Sequence, residues 1–288
     1  MRDYIIMTDS CCDLSQQEVE ELELTVLPLS FTIEGKTLLN TPDHADMSPE
    51  EFFAKIAAGA DCTPAAANVG QFTDAMEKVL QEGKDILCVC FSSALSTTYQ
   101  SACIAAEDLR EKYPEAKILV IDSLSASRGQ GRRPYRAVRE RREKNLTIDE
   151  LDAYVRSIIQ SQCHWFIVDD LNHLKRGGRV SSTAALVGTM LGIKPVMHTS
   201  DEGKLVPVSK VRGRKASLKA LIDKIAELGI EPSEQVMFIC HADCEVEARA
   251  VAEEMKARYG VKEVYINYIG PVIGSHTGPN TMGIFFVG

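Results

Sequence analysis

Much of what would betray a familiar activity is missing from this 288-residue chain. No stretch approaches the roughly 18 consecutive apolar residues of a membrane-spanning helix. The opening Met1-Arg2-Asp3-Tyr4 leads into a short strand-like run without the apolar core of a secretory leader, so a cytoplasmic protein with no membrane span is expected. The nine cysteines form no pair of CxxC motifs, and Cys88 and Cys90 lie in an apolar run, as reduced core thiols do. His173 follows Asp169-Asp170 without an HxxxH or a Cys/His cluster, which fits a hydrated or salt-bridged surface better than a metal site. The phosphate-cradling GxxxxGK[ST] loop is absent, and Gly129-Gln130-Gly131 is too short to replace it. So is the GxSxG elbow of serine hydrolases. Positive charge is also short: the net charge of −9 argues against nucleic acid as a partner. Aromatic residues make up 6% against 45% hydrophobic, which describes an aliphatic interior.

What is present alternates. Tyr4–Met7, Asp85–Phe91, Lys117–Ile121 and Trp165–Val168 read as buried strands. Between them, Ser15 with Glu18, Ser48 with Glu51 and Thr147 with Glu150 have the spacing of helix-opening capping boxes, the second with Pro49 at the first helical position. This alternation implies an α/β fold with a parallel sheet. After residue 160 the texture changes to glycine-rich loops near 177–192, a β-like Lys204–Val208 run, helices at about 215–228 and 245–259, and strands near 236–241, 263–268 and 282–287. The expected organisation is an N-terminal α/β domain over residues 1–160 and a mixed α/β C-terminal domain over 161–288.

In open α/β sheets, ligands bind beyond the carboxyl ends of the strands. Those positions are rich in hydroxyls here: Thr8, Ser10, then Ser92, Ser93, Ser96, Thr97 and Thr98, then Ser123, Ser125 and Ser127. Any one of them can be a helix cap, but three such turns in series suit a site of neutral donors helped by helix N-termini. A single histidine, His276, stands in a turn punctuated by Gly270, Pro271, Gly274, Gly278 and Pro279, which can aim a side chain into a cleft. A carboxylate held by hydroxyls and one imidazole, its apolar tail in an aliphatic interior, needs no missing parts. Residues 128–144 hold seven Arg, one Lys and two Glu, a local +6 that leaves −15 elsewhere. Such a run reads as a solvated helix face, with an acidic partner as the alternative.

Taken together, Thr8-Asp9-Ser10, Ser92–Ala102, Asp170-Leu171, Lys175–Ser181, Ile193-Lys194-Pro195 and His276-Thr277-Gly278-Pro279 resemble the DegV family of fatty-acid-binding proteins, in order and spacing along almost the whole chain. The resemblance implies a two-domain α/β fold with a long-chain fatty acid, palmitate- or oleate-like, in a tunnel between the domains. It implies a carboxylate held by Thr63, Ser96 and His276, with Arg212 a further candidate at that end. It implies an exposed Arg179 that meets a separate ATP-using fatty acid kinase subunit, which makes acyl-phosphate. The protein itself then carries no catalytic residue, no cofactor and no metal.

The residues leave other readings open. Ser96 or Asp9 as nucleophile with His276 as base would make a hydrolase or phosphotransferase. Cys11-Cys12 or the arginine run would make a redox or interaction protein. The chain also departs from the family's pattern. Thr63 is followed by Pro64-Ala65-Ala66-Ala67 instead of polar residues, Thr97 and Asn280 stand where glycine is usual, and Arg128, Arg132 and Arg133 stand where aliphatic residues are usual. Buried unpaired arginines being costly, that helix must be exposed, paired with acids or rearranged.

Overall fold

The structure, a computed structural model, describes residues 2–181 and 192–288. A four-stranded parallel sheet is ordered β2-β1-β6-β7, from Thr25–Leu27, Tyr4–Asp9, Asp85–Cys90 and Ile118–Asp122. The strand β6 is buried at every position, as expected of a central parallel strand covered on both faces. A six-stranded sheet, order β10-β9-β8-β13-β11-β12, is built from Leu205–Arg212, Ile193–Thr199, Gln162–Ile167, Met282–Val287, Val236–His241 and Glu263–Tyr268. It is antiparallel except for β11 with β12. The fold is therefore α/β with one parallel and one mixed sheet.

A third, three-stranded sheet of Lys36–Asn40, Leu29–Ile33 and Cys62–Ala65 (β4-β3-β5) has no counterpart in the sequence reading. Its hairpin turns on Glu34 and Gly35, both at positive φ (50° and 76°), the signature of a tight type I′ connection. Helix starts follow the sequence more closely. Ser15 with Glu18 and Thr147 with Glu150 form complete capping boxes, whereas Ser48 accepts from the Glu51 amide beside Pro49 at the helix start. Of the glycine-rich stretch expected near 177–192, residues 182–191 lie outside the described residues.

The arginine-rich segment corrects the sequence reading. Helix α5, Arg128–Lys144, packs against β1 and β6 on one side and β11 on the other, so its first half is buried between the two larger sheets. Only the second half, with Arg139, Arg142 and Lys144, is a solvated face. Arg128, fully buried, closes a bidentate pair with Glu18 at 2.5 and 2.6 Å, donates to the Asp13 carbonyl at 3.3 Å and lies 4.8 Å over the Phe238 ring. Arg133 donates to the carbonyls of Gly129 and Ile159, at 2.6 and 3.1 Å. Arg132 is buried without an acidic partner among the described residues, and burial pulls its pKa down to about 10.

One apolar core runs through both sheets: Ile6, Met7, Cys88 and Tyr135 share a cluster with Phe238, Ile273 and Phe285. Asp13, in a left-handed conformation (φ 49°), ties the same region together. Its carboxylate accepts from Ser127 at 2.5 Å and from the Gly270 amide at 3.0 Å, and its carbonyl accepts from Asn267 at 2.9 Å. Burial nonetheless pushes its pKa up to about 7.

Candidate functional site

A cavity of about 460 Å³ opens where the carboxyl ends of β1, β6 and β7 face the segment after β12. Its apolar wall includes Leu29, Phe91, Leu95, Leu174, Leu205 and Ile273, contributed from both halves of the chain. Its polar lining includes Ser93, Ser96, Thr97, Gln100, Arg179 and His276, with Thr277, whose buried hydroxyl has no partner among the described residues, beside His276. A second, more polar groove of about 500 Å³ adjoins it, sharing Pro64, Arg179 and His276 and adding Thr63, Asp61, His173 and Arg176.

His276 does not sit in a turn, as the sequence suggested. Pro271–Thr277 forms a short helix with Pro271 at its first position, and His276 lies in the last turn before Gly278, whose φ of 74° ends it. The imidazole is closely approached by the Gly177 backbone, and the ring of the neighbouring His173 by that of Gly278. A Cβ on Gly177 would come within 2.1 Å of the His276 Nδ1, and one on Gly278 within 2.6 Å of the His173 ring. Burial, helped by the Arg179 charge, lowers the His276 pKa to about 4, so the ring is neutral at pH 7 with one donor and one acceptor nitrogen. It has no hydrogen-bond partner among the described residues.

Ser96 precedes helix α4, Thr98–Lys112. Its Oγ lies 2.9 Å from the Thr98 hydroxyl and accepts from the Thr98 amide at 3.2 Å. Arg179 is half-buried rather than exposed: it folds back to donate to the Leu95 carbonyl at 3.0 Å and to the Gly177 carbonyl. Burial lowers its pKa, and no carboxylate pairs with it among the described residues. The polar end of the cavity thus carries a cation, a neutral imidazole and hydroxyls.

Ser96 and His276 face one cavity, as the sequence reading required, but Thr63 does not join them there. In β5, Thr63 pairs with Thr32 and is exposed to the outer groove, while Pro64, Ala65 and Ala66 supply the cavity wall. Arg212 stands apart as well. It is an exposed residue of edge strand β10, beside Lys215 and Glu247 on a surface groove that none of the anchor residues lines. Most of the remaining hydroxyls brace loops, as their capping tendency allows: Thr8 donates to the Val89 carbonyl at 2.7 Å, Ser92 to that of Gly203 at 3.0 Å, and Ser10 accepts from the Leu29 amide at 2.9 Å. The sequence reading missed Arg179 as a member of the rim, since its position there is a property of the folded chain alone.

The hydrolase alternative loses its parts. Asp9 is fully buried, and its two oxygens accept from the amides of Cys11 (3.0 Å) and Phe91 (2.8 Å), outside the cavity lining. Ser96 is engaged by Thr98 instead of an imidazole, and no carboxylate orients His276 among the described residues. Cys11 and Cys12 are buried thiols whose pKa burial raises, Cys11 well above the usual range, the opposite of a reactive thiolate. The described residues contain no group of three or more His, Cys, Asp or Glu placed to hold a metal ion, and no helix among them is long and apolar enough to cross a membrane.

A half-open apolar cavity with one cation, one imidazole and hydroxyls at its polar end suits an amphipathic molecule with a small anionic head. The comparisons name the family: the model of the DegV family, described as uncharacterised proteins, matches residues 4–288, and the chain belongs to that family. A DegV domain-containing protein of Clostridium perfringens is 41% identical over 288 residues, covering 100% of this chain and 98% of that one. A solved structure described as fatty acid binding of a DegV family protein from Thermus thermophilus superposes with a TM-score of 0.86 at 28% identity, covering 99% of each chain. The Streptococcus pneumoniae fatty acid kinase B3 protein loaded with linoleic acid shares the fold, with a TM-score of 0.85 at 19% identity over 99% of each chain.

Proposed function

We propose that this protein binds a long-chain fatty acid, palmitate- or oleate-like, with its tail in the 460 Å³ cavity and its carboxylate among Ser96, His276 and Arg179. The observation that carries the reading is Arg179, a half-buried cation without an acidic partner among the described residues, held by two backbone carbonyls at the polar end of an aliphatic pocket. A carboxylate there gains a charge-assisted interaction and a hydrogen bond from the neutral imidazole. The tail contributes about 0.8 kcal/mol per buried methylene, offset by ordering costs. The described relatives that bind fatty acids support the same assignment.

The adjoining groove, with Arg176 and Arg179 on its wall, is the side from which the head group is reached. A separate ATP-using kinase subunit docks there in this reading and converts the carboxylate to an acyl-phosphate, Arg179 serving both the acid and the partner. The protein contributes binding and presentation, without a cofactor of its own, and works in the cytoplasm, where its nine free cysteines stay reduced. The tunnel runs between the parts formed by residues 1–160 and 161–288.

Native mass spectrometry of delipidated protein offered oleate tests the reading. A one-to-one complex that weakens at least tenfold in His276→Ala and in Arg179→Met is expected. Absence of any uptake by the wild type would overturn it.

A further inference from the structure

We infer that Thr97, a residue of the helix α4 N-terminus, supplies the second hydroxyl that grips the carboxylate, in the place that Thr63 does not fill. The inference rests on the fatty-acid reading above. The cavity wall on the β5 side is Pro64, Ala65 and Ala66, which offer no side-chain donor. On the opposite side, Ser96, Thr97 and Gln100 line the same space as His276 and Arg179.

Thr97 is free for this role. It occupies the position before helix α4 with φ −77° and ψ −1°, and its side chain makes no capping bond. The capping duty has passed to Ser96, whose Oγ accepts from the Thr98 amide. The Thr97 hydroxyl therefore has no partner among the described residues, whereas that of Ser96 is already shared with Thr98. Thr97 and Gln100 are three residues apart, hence neighbours on one helix face, so a head group reaching Thr97 is also within the compass of the Gln100 amide. The positive end of a 15-residue helix adds favourable potential at the same point.

The test is calorimetric titration of delipidated wild type, T97V, T97S and T63V with oleate and with oleyl alcohol, which has the tail but no carboxylate. Thr97→Val should weaken oleate roughly tenfold, the loss of one hydrogen bond to a charged group, and leave oleyl alcohol within twofold. T97S should restore oleate binding, and Thr63→Val should change it less than twofold. If T97V leaves oleate within twofold of wild type, or if T63V carries the tenfold loss, the assignment is wrong while the fatty-acid reading stands. If wild type binds neither ligand, the fatty-acid reading itself falls, and the assignment with it.

Discussion

Replacing Arg128 with Met separates the buried pair that fixes the start of helix α5. The guanidinium is fully buried, and the two bonds it makes to Glu18 reverse the effect of burial on that carboxyl, whose pKa lies below the ordinary glutamate value. Once the cation is gone, Glu18 keeps only its capping bonds from Ser15, at 2.9 Å from the amide and 3.0 Å from the hydroxyl. Breaking a buried pair by deleting one partner costs about 3–5 kcal/mol. For a chain of this size that is on the order of 10 °C in melting temperature. The variant should therefore show a lower urea midpoint with an unchanged slope. Swapping both partners, as R128M/E18L, should recover most of the loss, because an apolar pair of similar volume avoids the stranded charge, less about 1 kcal/mol for the lost cap.

The pH dependence supplies a second check on the same variant. In wild type the depressed Glu18 pKa contributes stability above the unfolded carboxyl's range and loses it as pH falls through the folded value. Without Arg128, burial dominates and raises the pKa, so the variant gains stability as Glu18 protonates and its deficit shrinks toward pH 4. A cost below about 1 kcal/mol at pH 7, or a double variant no better than the single, would refute the argument.

Gly177→Ala should weaken oleate binding by at least tenfold with little change in urea midpoint, because its Cβ would displace the His276 ring from 2.1 Å while the backbone at Gly177 stays in an ordinary helical region; calorimetry and circular dichroism check the two halves. His164, buried between Ser125 and Thr199, has a pKa lowered to about 3 by burial, so the folded state resists its protonation. Stability should be complete above about pH 6.5 and fall as pH drops toward 3, and His164→Gln should flatten that fall in a urea series. Native protein treated with a thiol reagent should react quickly at Cys62 and Cys103 alone, the two half-buried cysteines, and at all nine after unfolding.

The parallel strands and the helix starts were legible because their signals are local: a run of Ile, Leu and Val, or a Ser and a Glu three residues apart. Ser96 and His276 were legible through the order of motifs around them. The three-stranded sheet was not, since Cys62–Ala65 is short, contains Pro64 and becomes a strand only by pairing with Leu29–Ile33. The buried half of the arginine helix was illegible for a related reason. Seven arginines at helical spacing describe a wet surface until Glu18, 110 residues away, and the carbonyls of Gly129 and Ile159 are brought to them. That Thr63 lines the outer groove and Arg179 the rim was not legible, because strand pairing and a backward-folded side chain decide which residue meets which cavity, and neither is written in a motif.

The apolar core that joins the two sheets has a kinetic consequence. Proteins that clamp small molecules between separate lobes commonly admit them by swinging the lobes apart. Here such a swing would part the cluster that Phe238, Ile273 and Phe285 share with Ile6 and Met7 and break the Asp13 bonds to Ser127 and Gly270, a costly disruption of the core. Under the fatty-acid proposal, an acid would come and go by small displacements at the rim, where Leu174 and Leu205 border the cavity. Its residence time would then be governed at the rim and not by the stability of the core.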